Sequence, residues 1–217
     1  MSLAIFDLDN TLIAGDSDHA WGEFLVEQEI VDPVIYKQAN DRFYLDYQRG
    51  QLDIHQYLAF ALEPLTRFNL QQLTELHQRF MTEKVVSMML PKAKALLQKH
   101  REAGDFLLII TATNRFVTGP IAEYLGVDDI LASEPEMIDN AYTGAVSGTP
   151  CYQAGKVERL NAWLKNSDTD LQDSYFYSDS HNDLPLLKEV EHPVAVDADP
   201  ELQAYAEKMG WLHISLR

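Results

Sequence analysis

The chain has 217 residues, of which 46% are hydrophobic, and a formal net charge of −17 from 17 basic and 34 acidic residues. This length and composition allow one domain with an insert, or one large and one small domain, and argue against wholesale disorder. The acidic excess argues against nucleic acid or an anionic membrane surface as a partner, because both attract basic surfaces. An anionic substrate would therefore need a local positive group or a metal ion.

The sequence also indicates the cellular compartment. Cys151 is the single cysteine, so no internal disulfide can form, which fits a reducing environment. No apolar run approaches the roughly 20 residues that span a bilayer. The N-terminus lacks a basic segment followed by an apolar stretch and a cleavage site. We therefore expect a cytoplasmic protein.

The first part of the chain predicts one strand and then a block of helices. The apolar run Leu3–Phe6 predicts a buried strand that leads into Asp7 and Asp9. Residues 17–88 are typical of helices throughout, with apolar residues at helical spacing. The predicted helices begin near four cap or proline positions, namely Ser17, Pro33, Asp53 and Asn69.

From Pro91 onward the pattern alternates between helices and strands. Helices are predicted at 91–103, 116–124, 155–165, 184–187 and 200–209, strands at 106–110, 174–177, 193–196 and 213–215, and a small hairpin at 142–146. The alternation predicts an α/β fold, with a Rossmann-like parallel sheet covered by helices on both faces. We expect residues 1–15 and 89–217 to form this core, and residues 16–88 to form a helical cap inserted after the first strand.

Polar residues follow the predicted strands where open α/β sheets bind ligands, outside the carboxyl ends of the strands. They are Asp7 with Asp9, Thr111, and Asp179 with Asp183, while Lys156 opens a helix between the last two groups. Two aspartates can serve as nucleophile and as general acid/base. A carboxylate that attacks a phosphoryl group needs help against charge repulsion, which Mg²⁺, lysine and hydroxyl groups can provide.

These residues in this order resemble the four motifs of the haloacid dehalogenase superfamily, in particular its phosphoserine-phosphatase-like branch. The motifs read here as Asp7-x-Asp9-x-Thr11, Thr111, Lys156 and Asp179-Ser180-x-Asn182-Asp183. The resemblance covers the catalytic core from end to end, and the helical block after the first motif is similar to the cap of that branch.

The resemblance implies a role for each matching residue. Asp7 would attack phosphorus and form an aspartyl-phosphate, and Asp9 would act as general acid and then as general base. Thr111 and Lys156 would bind the phosphoryl group, and Asn182 would contact the phosphate.

The resemblance also implies a magnesium site. Asp7 and Asp179 would bind Mg²⁺ through their side chains, Asp9 through its backbone carbonyl, and Asp183 would support the ion. The family further contains dehalogenases, mutases and ATPases. Asp9 favours phosphotransfer over dehalogenation, because dehalogenation does not need a second acidic group two residues on.

The cap indicates the substrate. Around Gly50–Leu58 the chain resembles phosphoserine phosphatases, and Asp16 takes the place of the acidic residue that holds the substrate ammonium. Alignment of these stretches puts Ala59 in the place of the arginine that clamps the substrate carboxylate. Alanine cannot make that contact, so the sequence favours a phosphorylated amino alcohol without a carboxylate. Relatives with a stretch similar to Asp16–His19 look like histidinol-phosphate phosphatases.

Other functions stay open at this point. Phosphoserine is the second candidate substrate, since a different arginine, from among Arg42, Arg49 and Arg67, would restore the clamp. A phosphomutase would keep the phosphate on its product. A catalytically inactive protein that binds a phosphorylated metabolite is a remote alternative, because the catalytic residue types are all present.

Overall fold

The structure is a computed structural model that describes residues 2–217. Within that range one sheet has the strand order β4-β3-β2-β1-β5-β6-β7, and every neighbouring pair is parallel except β3 and β4. The strands are β1 (Leu3–Phe6), β2 (Phe106–Asn114), β3 (Asp129–Ile138), β4 (Ala141–Ser147), β5 (Tyr175–Ser178), β6 (His192–Val196) and β7 (Leu212–Ile214).

Helices connect the parallel strands and form a block after β1. They are α1 (Ser17–Glu27), α2 (Ile35–Gln48), α3 (Ile54–Leu62), α4 (Leu70–Phe80), α5 (Val86–Met88), α6 (Pro91–Ala103), α7 (Arg115–Leu125), α8 (Ala154–Leu164), α9 (Leu184–Leu187) and α10 (Pro200–Met209). A π-helical turn, Met81–Val85, joins α4 to α5. No helix among residues 2–217 has the length and apolar character needed to cross a membrane.

The sheet is buried on both faces, and this confirms the predicted α/β fold. Side chains alternate along β1, so that Leu3 and Ile5 enter one hydrophobic cluster while Ala4 and Phe6 enter the other. All four are fully buried. A strand covered on both faces has to be apolar throughout, which is why Leu3–Phe6 carries no polar residue.

The helical block α1–α5 is inserted between β1 and β2, as predicted. Its two connections to the sheet run side by side: Ile13 and Met89 form an isolated antiparallel bridge, and the Ala14 amide donates to the Met88 carbonyl at 2.7 Å. The chain therefore leaves and re-enters the core at one place, above the carboxyl end of β1.

Three local predictions were wrong. Asp16, rather than Ser17, caps α1, because its carboxylate accepts a hydrogen bond from the His19 amide at 2.8 Å. Residues 142–146 do not form a hairpin by themselves. They belong to β4, which pairs with β3, a strand that the sequence analysis did not predict. Only residues 130–133 of β3 are buried, while residues 134–138 are half-buried or exposed and form a hairpin with β4.

Candidate active site

Three adjacent strands bring the predicted polar residues to one edge of the sheet. β1 lies between β2 and β5 and is parallel to both, so the carboxyl ends of these strands face the same way. Asp7 directly follows β1, Asp179 directly follows β5, and Thr111 lies in the second half of β2. The edge between such strands is where open α/β sheets hold ligands.

Lys156 connects two of the predicted aspartates. Its Nζ donates to Asp7 Oδ1 at 2.7 Å and to Asp183 Oδ2 at 2.8 Å, and the lysine is only 1% exposed. The Ser178 hydroxyl also donates to Asp183 Oδ2, at 2.7 Å. One buried cation is thus shared between a carboxylate of the first motif and one of the last, in a place where an unpaired charge would be costly.

Asp9 is held by the cap and by β2 together. Its Oδ1 accepts a hydrogen bond from the Ser17 amide at 2.6 Å, and its Oδ2 accepts one from the Thr113 hydroxyl at 2.8 Å. The Thr111 hydroxyl lies farther from Oδ2, at 3.4 Å. The first turn of α1 therefore sits directly on the carboxylate that is predicted to transfer protons.

Thr113 is a site residue that the sequence analysis missed. Strand periodicity could have predicted it, because Thr111 and Thr113 are two residues apart on β2 and share one face of the strand. Thr113 is buried, and its amide donates to the Thr111 hydroxyl at 3.2 Å. The two threonines thus form one hydroxyl pair beside Asp9.

Asp179 is oriented by the first motif. The Thr11 hydroxyl donates to Asp179 Oδ1 at 3.1 Å, and the Asp179 amide donates back to the Thr11 hydroxyl oxygen at 3.1 Å. Thr11 is fully buried. This reciprocal contact fixes the loop after β1 against the loop after β5, and so fixes the relative positions of Asp7 and Asp179.

Three carboxyl groups of the site have raised pKa values, namely those of Asp7, Asp9 and Asp179. Burial raises the pKa of Asp7 to about 8, with Lys156 opposing the shift and Asp183 adding to it. Burial also raises the pKa of Asp9, against hydrogen bonds from Ser17 and Thr113 that lower it. The pKa of Asp179 is well above its ordinary value, because of burial and the nearby carboxylates of Asp7 and Asp183. The site holds more negative charge than one lysine neutralises.

A narrow pocket with a cavity volume of about 40 Å³, partly open to solvent, lies between the sheet edge and the helical block. Asp7, Asp9 and residues 111–113 line its floor. Its walls come from the insert and are formed by Asp16, Asp18, His19, Asn40, Phe43, Tyr44, Tyr47, Leu52, Ile54 and Tyr57. Among residues 2–217, no arginine or lysine lines this pocket.

Comparison with known proteins identifies the family. The model of haloacid dehalogenase-like hydrolases matches residues 4–188. The chain belongs to this family. A histidinol-phosphatase from Neisseria meningitidis serogroup C (strain 8013) is 45% identical over 214 residues, which cover 97% of this chain and 96% of that protein. The chain is therefore a haloacid dehalogenase-like phosphatase.

Solved structures share the fold. A crystal structure of a protein of unknown function from Bordetella pertussis Tohama I superposes with a TM-score of 0.93 and 40% identity, covering 100% of this chain and 99% of that one. A substrate-bound phosphoserine phosphatase superposes with a TM-score of 0.72 and 19% identity, covering 98% and 92%. The second likeness is one of fold alone.

Two further residues predicted to bind substrate occupy different places in the phosphatase. Asp16 lines the pocket wall and caps α1. Asn182 lies outside the pocket lining: its Nδ2 donates to the Tyr47 carbonyl at 3.0 Å, and its Oδ1 accepts from Tyr152 at 3.0 Å and Gln153 at 2.9 Å. These contacts join the end of α2 to the loop after β5.

Gly50 permits this close docking of the insert on the core. Its φ of +65° is in the left-handed region, and a Cβ there would lie 2.7 Å from His181 Nε2. His181 itself is tied to Asp199, with Nδ1 2.8 Å from Asp199 Oδ2. A larger residue at position 50 would push α2 away from the core.

Ala59 does not occupy the place that the sequence alignment gave it. It is exposed on α3 and does not line the pocket, whereas Ile54 and Tyr57 on the same helix do. The three arginines considered as substitutes also lie outside the lining. Arg67 pairs with Glu63 at 2.6 Å, Arg42 lies over the Phe43 ring, and Arg49 lines a separate surface cavity. None of these four residues lines the pocket.

The residues present fit a divalent cation. Asp7, Asp179 and Asp183 offer hard oxygen donors, with Asp7 and Asp183 buried and Asp179 half-buried. The carboxylates of Asp7 and Asp183 raise the pKa of Asp179, and this repulsion favours a bound cation. Their side-chain oxygens do not all converge within 4.8 Å. Among the described residues that separation is met only by Asp173, Glu191 and His192, which are exposed and far from the pocket lining. A backbone carbonyl such as that of Asp9 would complete the donor set.

Proposed function

We propose that this phosphatase is a Mg²⁺-dependent phosphomonoesterase that hydrolyses histidinol phosphate through an aspartyl-phosphate on Asp7. The 45% identity to a protein named histidinol-phosphatase supports this proposal. The proposal depends most on the composition of the pocket. Asp16 and Asp18 add two acidic groups to the wall, while no arginine or lysine of residues 2–217 lines it. A substrate that brings its own positive charge and no carboxylate suits such a pocket.

Asp7 and Asp9 divide the chemistry between them. An Asp7 carboxylate oxygen attacks phosphorus as the bond from phosphorus to the alcohol oxygen breaks, and Asp9 gives its proton to that oxygen. Asp9 then takes a proton from water, which attacks the aspartyl-phosphate and releases inorganic phosphate. The raised pKa of Asp9 suits its first role, because the acid has to be protonated near neutral pH.

In this proposal, Lys156 and Thr111 bind the phosphoryl group. Lys156 Nζ, 2.7 Å from Asp7 Oδ1, would orient the nucleophile and face the incoming phosphoryl oxygens. Thr111 lines the pocket floor and offers a hydroxyl there. Asn182 would affect phosphate binding only indirectly, since its side chain is already hydrogen-bonded to Tyr47, Tyr152 and Gln153.

Asp7, Asp179 and the Asp9 carbonyl would hold Mg²⁺, with Asp183 supporting the site. When bound, the ion lowers the repulsion between the phosphoryl group and the attacking carboxylate. Thr11 contributes by fixing Asp179 through the paired contacts at 3.1 Å. The hydrogen bond from Ser178 to Asp183, at 2.7 Å, has a similar orienting effect.

We also propose that residues 16–88 act as a cap domain over a core formed by residues 1–15 and 89–217. The pocket supports this division, because core residues line its floor and residues of the 16–88 insert line its walls. The paired connections at Ile13 and Met89 provide one narrow link between them. We expect the enzyme to work in the cytoplasm, where the buried free thiol of Cys151 stays reduced.

The test is phosphate release, in the presence of Mg²⁺, from histidinol phosphate and phosphoserine at equal concentrations. We expect kcat/KM to favour histidinol phosphate by about 100-fold or more, since an unpaired substrate carboxylate beside two acidic groups costs several kcal/mol. A preference for phosphoserine would overturn the substrate assignment. Turnover of neither substrate, together with no turnover of p-nitrophenyl phosphate, would favour a binding protein without catalytic activity.

A further inference from the structure

Asp18 is a buried pocket residue whose carboxylate is only half satisfied. It is 6% exposed and lines the pocket wall. Its Oδ1 accepts a hydrogen bond from Asn114 Nδ2 at 3.3 Å, while its Oδ2 has no hydrogen-bond partner. Buried carboxylate oxygens are normally paired, so an unpaired one on a residue that lines a pocket calls for an explanation.

The surrounding structure holds this carboxylate in place from the core side. Asn114 caps α7, and its own Oδ1 accepts from the Val117 amide at 3.2 Å, so its amide group is fixed. Asn114 is 1% exposed. Asp18 is therefore anchored through one oxygen by a rigid residue of the core, and its second oxygen is left for a ligand.

Among the described residues, no lysine, arginine or histidine forms an ion pair with Asp18. Burial raises the pKa of the Asp18 carboxyl to about 8, and the carboxylate of Asp16 adds to the shift. The nearby Tyr57 hydroxyl lowers this pKa but does not complete a hydrogen bond to Oδ2. A ligand that offers a polarised N–H would supply what the folded chain does not.

The walls around Asp18 suit a flat ring. Phe43, Tyr44 and Tyr57 line the same pocket, together with the apolar Leu52 and Ile54. Aromatic side chains favour the faces and edges of other planar groups. The pocket thus combines an aromatic lining with one unpaired acceptor.

Asp16 and Asp18 differ in what they can do for a substrate. Asp16 is the cap of α1, is less buried, and already accepts a hydrogen bond from the His19 amide. Asp18 is more buried, and its Oδ2 has no hydrogen-bond partner. Asp16 and Asp18 lie two residues apart at the start of α1. They can therefore bind two nitrogen groups of one substrate at different depths.

We propose that Asp18 is the specificity-determining residue that accepts the ring N–H of an imidazole-bearing phosphomonoester. The inference rests on the proposed function and deepens it, because it assigns the part of the substrate that lies farthest from the phosphate. Asp16 is left to hold the substrate ammonium. Asp18 determines which substrate binds well and takes no part in proton transfer at phosphorus.

The experiment compares histidinol phosphate with phenylalaninol phosphate, which has the same amino-alcohol phosphate and a ring without N–H. The wild type is expected to prefer histidinol phosphate by about 10- to 100-fold in kcat/KM, the range for a hydrogen bond to a charged group. In Asp18→Asn this preference should shrink to within about threefold, mainly through a higher KM for histidinol phosphate. Glu23→Gln is the matched control, because it removes a carboxylate from the exposed side of α1.

The outcomes separate the two proposals. Equal use of both substrates by the wild type, or an unchanged preference in Asp18→Asn, overturns the role of Asp18 while histidinol phosphate turnover stands. A wild type that hydrolyses phosphoserine and neither amino-alcohol phosphate overturns the proposed function and the inference with it. The wild-type comparison needs no variant, so it decides the matter even if Asp18→Asn does not fold.

Discussion

Lys156 Nζ lies 2.7 Å from Asp7 Oδ1, although the two residues are 149 positions apart in the chain. The lysine reaches this place from the first turn of α8, whereas Asp7 follows β1. Burial acts to lower the pKa of Lys156, but the carboxylates of Asp183 and Asp7 outweigh it and the pKa is raised. The lysine therefore stays charged throughout the pH range in which the enzyme is expected to work.

Replacement of Lys156 should damage both stability and activity. In Lys156→Met the carboxylates of Asp7 and Asp183 lose their shared partner, which costs about 3–5 kcal/mol of unfolding free energy unless a carboxyl group protonates. The loss of a positive group beside the reacting phosphoryl should lower kcat by about 100-fold or more. Urea unfolding and steady-state kinetics measure the two effects, with the exposed Lys165→Met as control. Unchanged kcat would contradict the role.

Asp7→Asn should abolish turnover and leave the fold intact. The amide cannot form the aspartyl-phosphate, so we expect kcat to fall by at least about 1000-fold, in line with the loss of a covalent nucleophile. Lys156 keeps Asp183 as its partner, so the circular dichroism spectrum should be that of the wild type. Normal activity in this variant would rule out Asp7 as the nucleophile.

Thr113 should tune the proton transfer by Asp9. Thr113→Val removes the hydrogen bond at 2.8 Å that lowers the pKa of Asp9, so that pKa should rise further. We expect the pH–rate profile to move to higher pH and kcat near pH 7 to fall by about 10-fold, from the loss of a hydrogen bond to a charged group.

Thr113→Ser is the matched control for this prediction. It keeps the hydroxyl and removes only the methyl group, so it should restore the wild-type pH profile. A profile that is shifted equally in both variants would show that packing of the threonine methyl group, rather than the hydrogen bond, is responsible.

The metal requirement should depend on Asp179. In Asp179→Ala the donor set loses a buried carboxylate that Thr11 holds in place, so the Mg²⁺ concentration for half-maximal activity should rise by about 10-fold or more. Activity measured across a Mg²⁺ titration tests this. Asp173→Ala is the control, because that residue belongs to the exposed acidic group far from the pocket. An unchanged requirement in Asp179→Ala would refute its role as a ligand.

Stability without metal should fall as pH rises. Between the ordinary carboxyl pKa of 3.8 and the folded-state values of about 7 for Asp16 and about 8 for Asp7 and Asp18, the folded protein binds more protons than the unfolded chain. Their contribution is therefore fully present below pH 4 and is lost as pH approaches 8. In EDTA the melting temperature should decline from pH 5 to pH 8, and Mg²⁺ should reduce the decline. A flat profile in EDTA would contradict the raised pKa values.

Local sequence patterns were enough to predict most strands of the sheet and the polar residues that follow them. The run Leu3–Phe6 is apolar throughout because both faces of β1 are buried, and this makes the strand visible without a structure. The aspartates that follow β1 and β5 are visible for the same reason, since strand ends mark one edge of a parallel sheet. By contrast, β3 was missed, because its buried run is only the four residues 130–133 and the rest of the strand is half-buried or exposed in a hairpin.

The tertiary structure decided how these residues combine. Spacing along the chain could not indicate that Lys156 would bridge Asp7 and Asp183, or that Thr113 would bond Asp9, because those contacts join residues 27 to 149 positions apart. It also could not indicate that Ala59 faces solvent, or that one oxygen of Asp18 stays unpaired in the pocket. The sequence by itself determined the elements and the residue types that chemistry requires. Packing of the insert on the sheet decided which charges meet, because ion pairing and burial depend on distances in space.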